Sequence, residues 1–546
     1  MGLLPLPVKV AVFLLTGAVL MMSLLVLGGC TTESRSTSVY YVNGAAEDGG
    51  DGTTWETAFT HPQDALDVAT YGDQVWVAQG VYVPVDQTGS EVIRLKTGIA
   101  VLGGFVGTES EVGKRIPGSA ETVLDGQGSS YHVVVGADRA VIDGFTITGG
   151  NAVGDIPQSV SGGTFSGGGM FNFGVAPEIR NCLFVRNTAS YNGGAIFNED
   201  SDPLIVNCVF EQNSASFGGA LDNRNSSPTI INTKFRNNFA VVSGGAAANF
   251  GGSPIFINAV FSGNRSEHVG GAVLSNASDG IFTNSTFVGN RAGKAGGGLA
   301  DRTGTATVTN CTFSSNGAPE GGGLFSTGTL LLRNTILANS EGGTDCAAAG
   351  TLDPASTHNL IKANAGCGTP VSTADPRFEQ LGGYNGPTPT LPLGGGSPAI
   401  NLGDNASAVD EHGKPLRWDQ RGNGDPRFVA GITDIGAFEV QASPKLVVDT
   451  VEDTDLRACR GGRPDCSLRG AIALANATPK AAVIRFDTKV FSEQQTIMPA
   501  HPLPEVTTDL TLDARDTGGV KLTGEFAVLR AAPDARLILH AVIPEP

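Results

Sequence analysis

A unit of 25 or 26 residues recurs across positions 168–339, and each copy joins a glycine doublet to a Phe-x-x-Asn signature. The doublets fall at Gly168-Gly169, Gly193-Gly194, Gly218-Gly219, Gly244-Gly245, Gly270-Gly271, Gly296-Gly297 and Gly321-Gly322. Between them stand Phe184, Phe210, Phe235, Phe261, Phe287 and Phe313, each followed three residues later by Asn187, Asn213, Asn238, Asn264, Asn290 or Asn316. A second asparagine column, Asn181, Asn207, Asn232, Asn258, Asn284 and Asn310, precedes each Phe by three. Self-similarity at such a period defines a solenoid, and the content of the unit decides its kind. Short runs of Ile, Val, Phe and Thr, as at 178–185 and 229–235, alternate with Gly, Asn, Ser and Pro, so the unit is built of strands. The glycines oppose any sustained helix.

One turn of parallel strands per unit follows, with turns about 4.8 Å apart and seven units stacking to about 30 Å. Each residue then sits above its equivalent one unit earlier. The Phe column becomes a buried aromatic stack, and the Asn187 to Asn316 column a ladder of amides bonded along the axis. These columns are read as structural. Cys182, Cys208 and Cys311 share one column and read as packing residues, because one thiol per turn makes a poor tetrahedral metal site.

The Gly-Gly-Ala-Ile of 193–196, its Gly-Gly-Ala-Leu and Gly-Gly-Ala-Val variants, and six copies of Phe-x-x-Asn resemble the repeats of chlamydial polymorphic outer membrane proteins, which are surface adhesins. The resemblance covers about a third of the chain and implies a surface role. It departs at the end, where this sequence shows no series of alternating strands able to form the membrane barrel of those proteins.

The plan of 40–84 resembles the amino-terminal cap of right-handed β-helix proteins: a strand, an acidic glycine turn at 47–52, Trp55, a short helix at 61–69 and a returning strand. That likeness implies an all-β, right-handed parallel β-helix, a pectin lyase-like solenoid over 39–374. Its cap spans 39–110, with a short helix covering the first turn, and its repeats span 167–340. Asp48 and Asp51 in the acidic turn are candidate calcium ligands, although their spacing matches no complete calcium loop and a solvated turn is favoured. No other cofactor is expected.

Residues 375–440 carry Gly-Ser-Pro-Ala-Ile at 396–400, Asp419-Gln420-Arg421-Gly422 and Asp434-Ile435-Gly436-Ala437-Phe438-Glu439, and resemble the choice-of-anchor domain near the end of many bacterial surface β-helix proteins. Arg421 is expected to pair with a carboxylate that fixes these closing turns. Cys-Ser-Leu-Arg-Gly-Ala-Ile at 466–472 resembles the Cys-Ser-Leu-Arg-Glu-Ala-Ile motif that opens a further β-helix in related proteins, with Gly470 in place of the usual Glu. A truncated second β module is therefore expected over 445–546.

The first 30 residues read as a secretory signal. Lys9 precedes an apolar run at 10–27, and Leu27-Gly28-Gly29-Cys30 resembles a bacterial lipobox. This makes Cys30 the lipidated residue, 31–38 a polar tether, and the outer membrane the partner through a lipid anchor. An uncleaved membrane anchor is the alternative. Either way the protein is exported to an outer-membrane, surface or extracellular location. In an oxidising compartment, Cys346 with Cys367 and Cys459 with Cys466 are close enough in sequence to form disulfides.

A net charge of −18, with no basic patch, excludes nucleic acid and disfavours strongly anionic polysaccharides unless calcium bridges them. The expected function is adhesion, or binding of a glycan or host surface, with a polysaccharide or cell-surface ligand as partner. Asn198, Asn223 and Asn249 on neighbouring turns are the candidate glycan contacts. The alternative is a polysaccharide lyase or glycoside hydrolase acting in a groove along the coil. It lacks a paired carboxylate in sequence, because Asp222 and Asp301 hold similar places three turns apart, and His268 and Arg302 read as isolated charges.

Overall fold

Gly, Asn and Pro break each repeat into strands of two to five residues. The turn that starts at Glu178–Arg180 continues through Leu183–Val185, Thr188–Ala189 and Ile196–Glu199. Each strand pairs in parallel with its counterpart one turn on, placing Ile179 beside Ile205, Phe184 beside Phe210 and Ile196 beside Leu221. Stacking of these turns gives a first sheet of twelve strands, a second and a third of eleven each, and a short sheet of six between the second and third. The chain is thus a right-handed parallel β-helix. This computed structural model describes residues 37–545, apart from 86–90, 116, 118–120, 155–162, 430, 442–445, 460–463 and 478–481. The signal segment, Cys30 and the tether up to residue 36 lie outside the described residues.

The two asparagine columns have separate physical tasks. Asn181, Asn207, Asn232, Asn258, Asn284 and Asn310 turn the corner from the first sheet to the second at φ values between 48° and 55°. That left-handed conformation strains most side chains but suits Asn. Asn187, Asn213, Asn238, Asn264, Asn290 and Asn316 lie in the interior beside the second sheet. The Asn213 oxygen accepts from the backbone N–H of Asn187 at 3.0 Å and from its amide at 3.2 Å, while the Asn213 amide donates to Phe184 O at 2.9 Å and to Asn238 Oδ1 at 3.0 Å. Donors and acceptors are all used, so burial leaves no polar atom stranded. Phe184, Phe210, Phe235, Phe261, Phe287 and Phe313 stack beside this ladder with centroids 4.3–5.0 Å apart.

The glycine doublets open the third sheet. The first glycine of each takes a positive φ, and in all but the last doublet a Cβ on the second would meet the next turn's backbone: on Gly194 it would stand 2.4 Å from Gly219 O. This fixes the first doublet at Gly167-Gly168, one residue earlier than the sequence alignment placed it, because Met170 pairs with Ile196.

At the start of the coil, helix α1 (Pro62–Val68) buries Ala65 and Leu66 against the first strands, with the His61 ring accepting from Gln63 N at its amino end. Past the last repeats, the described residues of 375–440 form no regular strand and run back along the outside of the coil. Thr388 Oγ1 donates to Asn258 O, Gln420 Oε1 accepts from Thr286 Oγ1, and the backbone N–H groups of Ala437 and Gly436 donate to Thr312 Oγ1 and Asn334 O. Leu393, Ala399, Ile400 and Ile435 pack on Ile336 and Ala338, which covers the later turns of the second sheet. Arg421 pairs with Asp419 at 2.6 Å and lies over the Phe438 ring. A second parallel coil follows, with sheets of four and three strands around its own hydrophobic core. Its helix α2 (Leu468–Asn476) is capped by the Ser467 side chain.

Candidate functional site

With the second sheet partly covered, the third offers an outer face on which side chains of several chemical kinds meet. Alternation along each strand sends Ile196, Leu221, Ala247, Val273 and Leu299 into the core. It sends Phe197, Asp222, Ala248, Leu274, Ala300 and Phe325 outward in one register column, with Glu199, Arg224, Phe250 and Asn276 in the next. Asn198, Asn223 and Asn249 point inward. They are fully buried and bonded to one another, Asn198 Nδ2 to Asn223 Oδ1 and Asn223 Nδ2 to Asn249 Oδ1, each at 2.8 Å. They are therefore a third structural ladder rather than glycan contacts, since an amide spent on its neighbours and shut from solvent has nothing to offer a sugar. Asp301 stands in this inward column, where its Oδ2 accepts from Ser326 Oγ, whereas Asp222 faces outward. The two aspartates are thus on opposite sides of the sheet and hold different places.

Along the open face runs a file of rings. Phe165 meets Tyr191 at 6.1 Å, Tyr191 meets Phe217 at 5.7 Å and Phe217 meets Phe250 at 5.6 Å, all edge to face. Arg224 holds the file together. Its guanidinium lies 4.9 Å from the Phe250 ring centre, donates to Asp222 Oδ1 at 3.0 Å and to Asn192 Oδ1 at 2.7 Å. Asp222 beneath it is fully buried, and burial pushes its carboxyl up to about 7 against the opposing pull of Arg224. Asp222 Oδ2 and Glu199 Oε2, on adjacent turns, are both buried without a hydrogen-bond partner among the described residues. Sequence reasoning missed Glu199 because it follows its glycine doublet at a different offset from Asp222.

Beyond Phe250 the face sinks into a groove of about 540 Å³. His268 and Lys294 stand on one rim, stacked on adjacent turns through the Lys294 N–H to His268 O bond, and Arg302 and Thr327 stand on the other. Leu274 forms the floor. Phe325 leads on to a shallower trough of about 780 Å³ floored by Ala347, Ala348 and Ala365. His268 and Arg302, read from sequence as isolated charges, are brought to one groove because the coil lays the two rims of successive turns side by side. Lys294 completes the set and was not singled out in sequence.

Asp51 lies at the surface and spends one carboxylate oxygen on the Thr53 N–H and on the Thr53 and Thr57 hydroxyls, which hold it below the usual carboxylate range. Asp48 is exposed nearby. No group of three or more metal-ligating side chains occurs among the described residues. Cys346 is joined to Cys367 and Cys459 to Cys466, while Cys182, Cys208 and Cys311 are free and buried.

Fold and face together define a right-handed parallel β-helix with an open aromatic and cationic groove on its third sheet. In agreement, the family model described as "Right handed beta helix region" matches residues 174–335 and 218–379. Among solved structures the chain is similar to pectate lyase Pel9A, at 13% identity and a TM-score of 0.39, over 74% of this chain and 97% of that one. It is also similar to a rhamnogalacturonan lyase, at 12% identity and a TM-score of 0.30, over 69% and 95%. A PL6 family alginate lyase, AlyGC, is similar at 11% identity and a TM-score of 0.27, over 94% and 76%. No curated protein matches the chain.

Proposed function

We propose that this protein binds glycan chains at the surface of the cell that exports it, along the groove of the third sheet, with the lipobox cysteine Cys30 as its outer-membrane anchor. The observation that carries the reading is the file Tyr191, Phe217 and Phe250 leading into a groove rimmed by His268, Lys294 and Arg302. Partly exposed rings offer apolar faces to the C–H faces of sugars, and rim side chains supply donors to hydroxyls, the mixture that small-molecule and saccharide sites use. Two disulfides support an exported location, since such bonds persist in oxidising compartments. Adhesion is the role that the repeat resemblance favours for such a surface.

The hydrolytic alternative has one observation in its favour, the unpartnered carboxyl oxygens of Glu199 and Asp222 on adjacent turns. Asp222 is shut beneath Arg224, however, and a general acid has to reach the bond that it cleaves.

The test incubates the chain with plant, algal and bacterial polysaccharides, with and without calcium, and reads bound protein, new reducing ends and unsaturated ends together. Retention without new ends is expected, and Cys30→Ser should release the protein from the membrane fraction. Cleavage of any substrate would replace binding with catalysis, and no retention on any of them would end the glycan reading.

A further inference from the structure

The groove is a local reversal of charge. The chain as a whole carries −18, yet among the described residues the side chains lining this depression include His268, Lys294 and Arg302 and no carboxylate. All three basic side chains are exposed. Elsewhere the basic side chains of the coil are mostly spent on acidic neighbours. Arg236 pairs with Glu211, Arg265 with Glu267, Arg291 with Glu341 and Arg224 with Asp222. Among the described residues, none of His268, Lys294 and Arg302 takes part in an ion pair. Glu320 lies one turn above Lys294, bonded through its backbone N–H to Lys294 O, and does not pair with it. The Lys294 and Arg302 charges, left unpaired on facing rims of one concavity, focus a positive potential into it. A guanidinium and an ammonium across a groove match the oxygens of an anionic group.

Resting on the glycan reading above, we propose that the groove is a subsite for a negatively charged sugar unit. Lys294 and Arg302 hold its acidic group from opposite rims, while Phe250 and Leu274 receive the apolar face of the ring. The acidic surface outside the groove adds a second condition. A polymer charged at every unit is repelled by the net charge of −18 of the chain as a whole, so the preferred ligand carries an occasional acidic unit in a mainly neutral chain. Net charge alone pointed away from anionic glycans, and the groove restricts that rule to densely charged ones.

The experiment titrates the full chain with three probes: a neutral oligosaccharide ending in one glucuronate, the methyl ester of the same compound, and an analogue with one sulfate in place of the carboxylate. The acid should bind at least tenfold more tightly than the ester at low salt, and the gap should shrink as salt rises. In the double variant Lys294→Gln, Arg302→Gln the acid and ester affinities should converge, and both substitutions are at exposed positions that leave the core untouched. A preference for the sulfated probe over the ester supports the charge assignment and identifies sulfate as the source. Equal affinity of the wild type for acid and ester, or a preference that survives the double variant, would overturn the proposal while leaving glycan binding intact. Failure of every probe to bind, together with no retention on the polysaccharide panel, would overturn both.

Discussion

Arg427 and Asn284 stand 143 residues apart in sequence, and the Arg427 Nη2 donates to Asn284 Oδ1 at 2.8 Å in the fully buried seam between the closing segment and the coil. The same guanidinium donates to the carbonyls of Gly436 and Ala437 and lies 3.6 Å from Glu439. Glu439 is itself pushed well above the usual carboxylate range by burial and by Asp434, with Arg427 opposing. Removing one member of such a buried network strands the others, at a cost of about 3–5 kcal/mol. Arg427→Ala should therefore loosen 388–437, read as new protease cleavage in that segment, while the repeats stay resistant. Lys at this position should restore little, because it lacks the planar fork that reaches several acceptors at once.

The ladder and the corner predict opposite tolerances for two asparagines six residues apart. Asn238→Ala deletes an amide that serves Asn213, Phe210 and Asn264, leaving several buried groups unpaired at about 1–3 kcal/mol each. Its denaturation midpoint should drop sharply. Asn232→Gly keeps the left-handed corner at φ 54° and should be near neutral, whereas Asn232→Val should cost about 1–2 kcal/mol. A ranking in which the corner glycine is as damaging as the ladder alanine would contradict the assignment of roles.

Asp222 makes stability depend on pH. Its carboxyl is raised by burial to about 7 in the folded chain, whereas an unfolded Asp titrates near ~3.9. The folded state thus binds this proton more tightly, so the contribution is fully present below about pH 4. It is lost as pH rises through about 7, by about 4 kcal/mol at most. Asp222→Asn removes the titration. The variant should match the wild type at pH 4 and exceed it at pH 8 in urea denaturation midpoint. Parallel pH profiles for the two proteins would show that Asp222 is not the buried acid described.

Thiol chemistry separates structural cysteines from cross-linked ones. Burial raises the Cys311 thiol to about 12 and places Cys208 well above its ordinary range. Neither should react with a thiol reagent in the folded protein, and together with Cys182 they should appear as three titratable groups only on unfolding without reductant. Cys346→Ser should cost about 3 kcal/mol at the last turns of the coil through the 21-residue loop it opens.

The coil was legible in the sequence because a fixed period sets the register by itself. Once Phe184 lies under Phe210, the asparagine three residues on lies under its own equivalent. The groove was not legible by the same logic. Its residues share positions without sharing identity: His268 and Lys294 each stand two residues before their glycine doublet and Phe250 and Arg302 each six after the first glycine of theirs, so the position repeats while the chemistry does not. They meet only because the outer face of the third sheet joins the end of one strand to the approach of the next. Asn198, Asn223 and Asn249 were misread because strand alternation gives two faces without saying which is inward. Their equivalents Ser275 and Asp301, both buried, occupy the same inward column. Counted from the first glycine of each doublet, Asp222 lies four residues on and Asp301 five, which separates the two, while Glu199 and Arg224 each lie six on and so stand side by side. That clue was available in the spacing alone.

The most direct test of the account is the affinity of the groove for an oligosaccharide that the chain retains, measured for the wild type, Phe250→Ala and a control at Val81, which is exposed on the second sheet far from the groove. The account predicts that Phe250→Ala weakens binding about tenfold, equivalent to about 1.4 kcal/mol, while Val81→Ser binds as the wild type does. Equal affinities for all three proteins would place the ligand elsewhere on the coil and contradict the central claim.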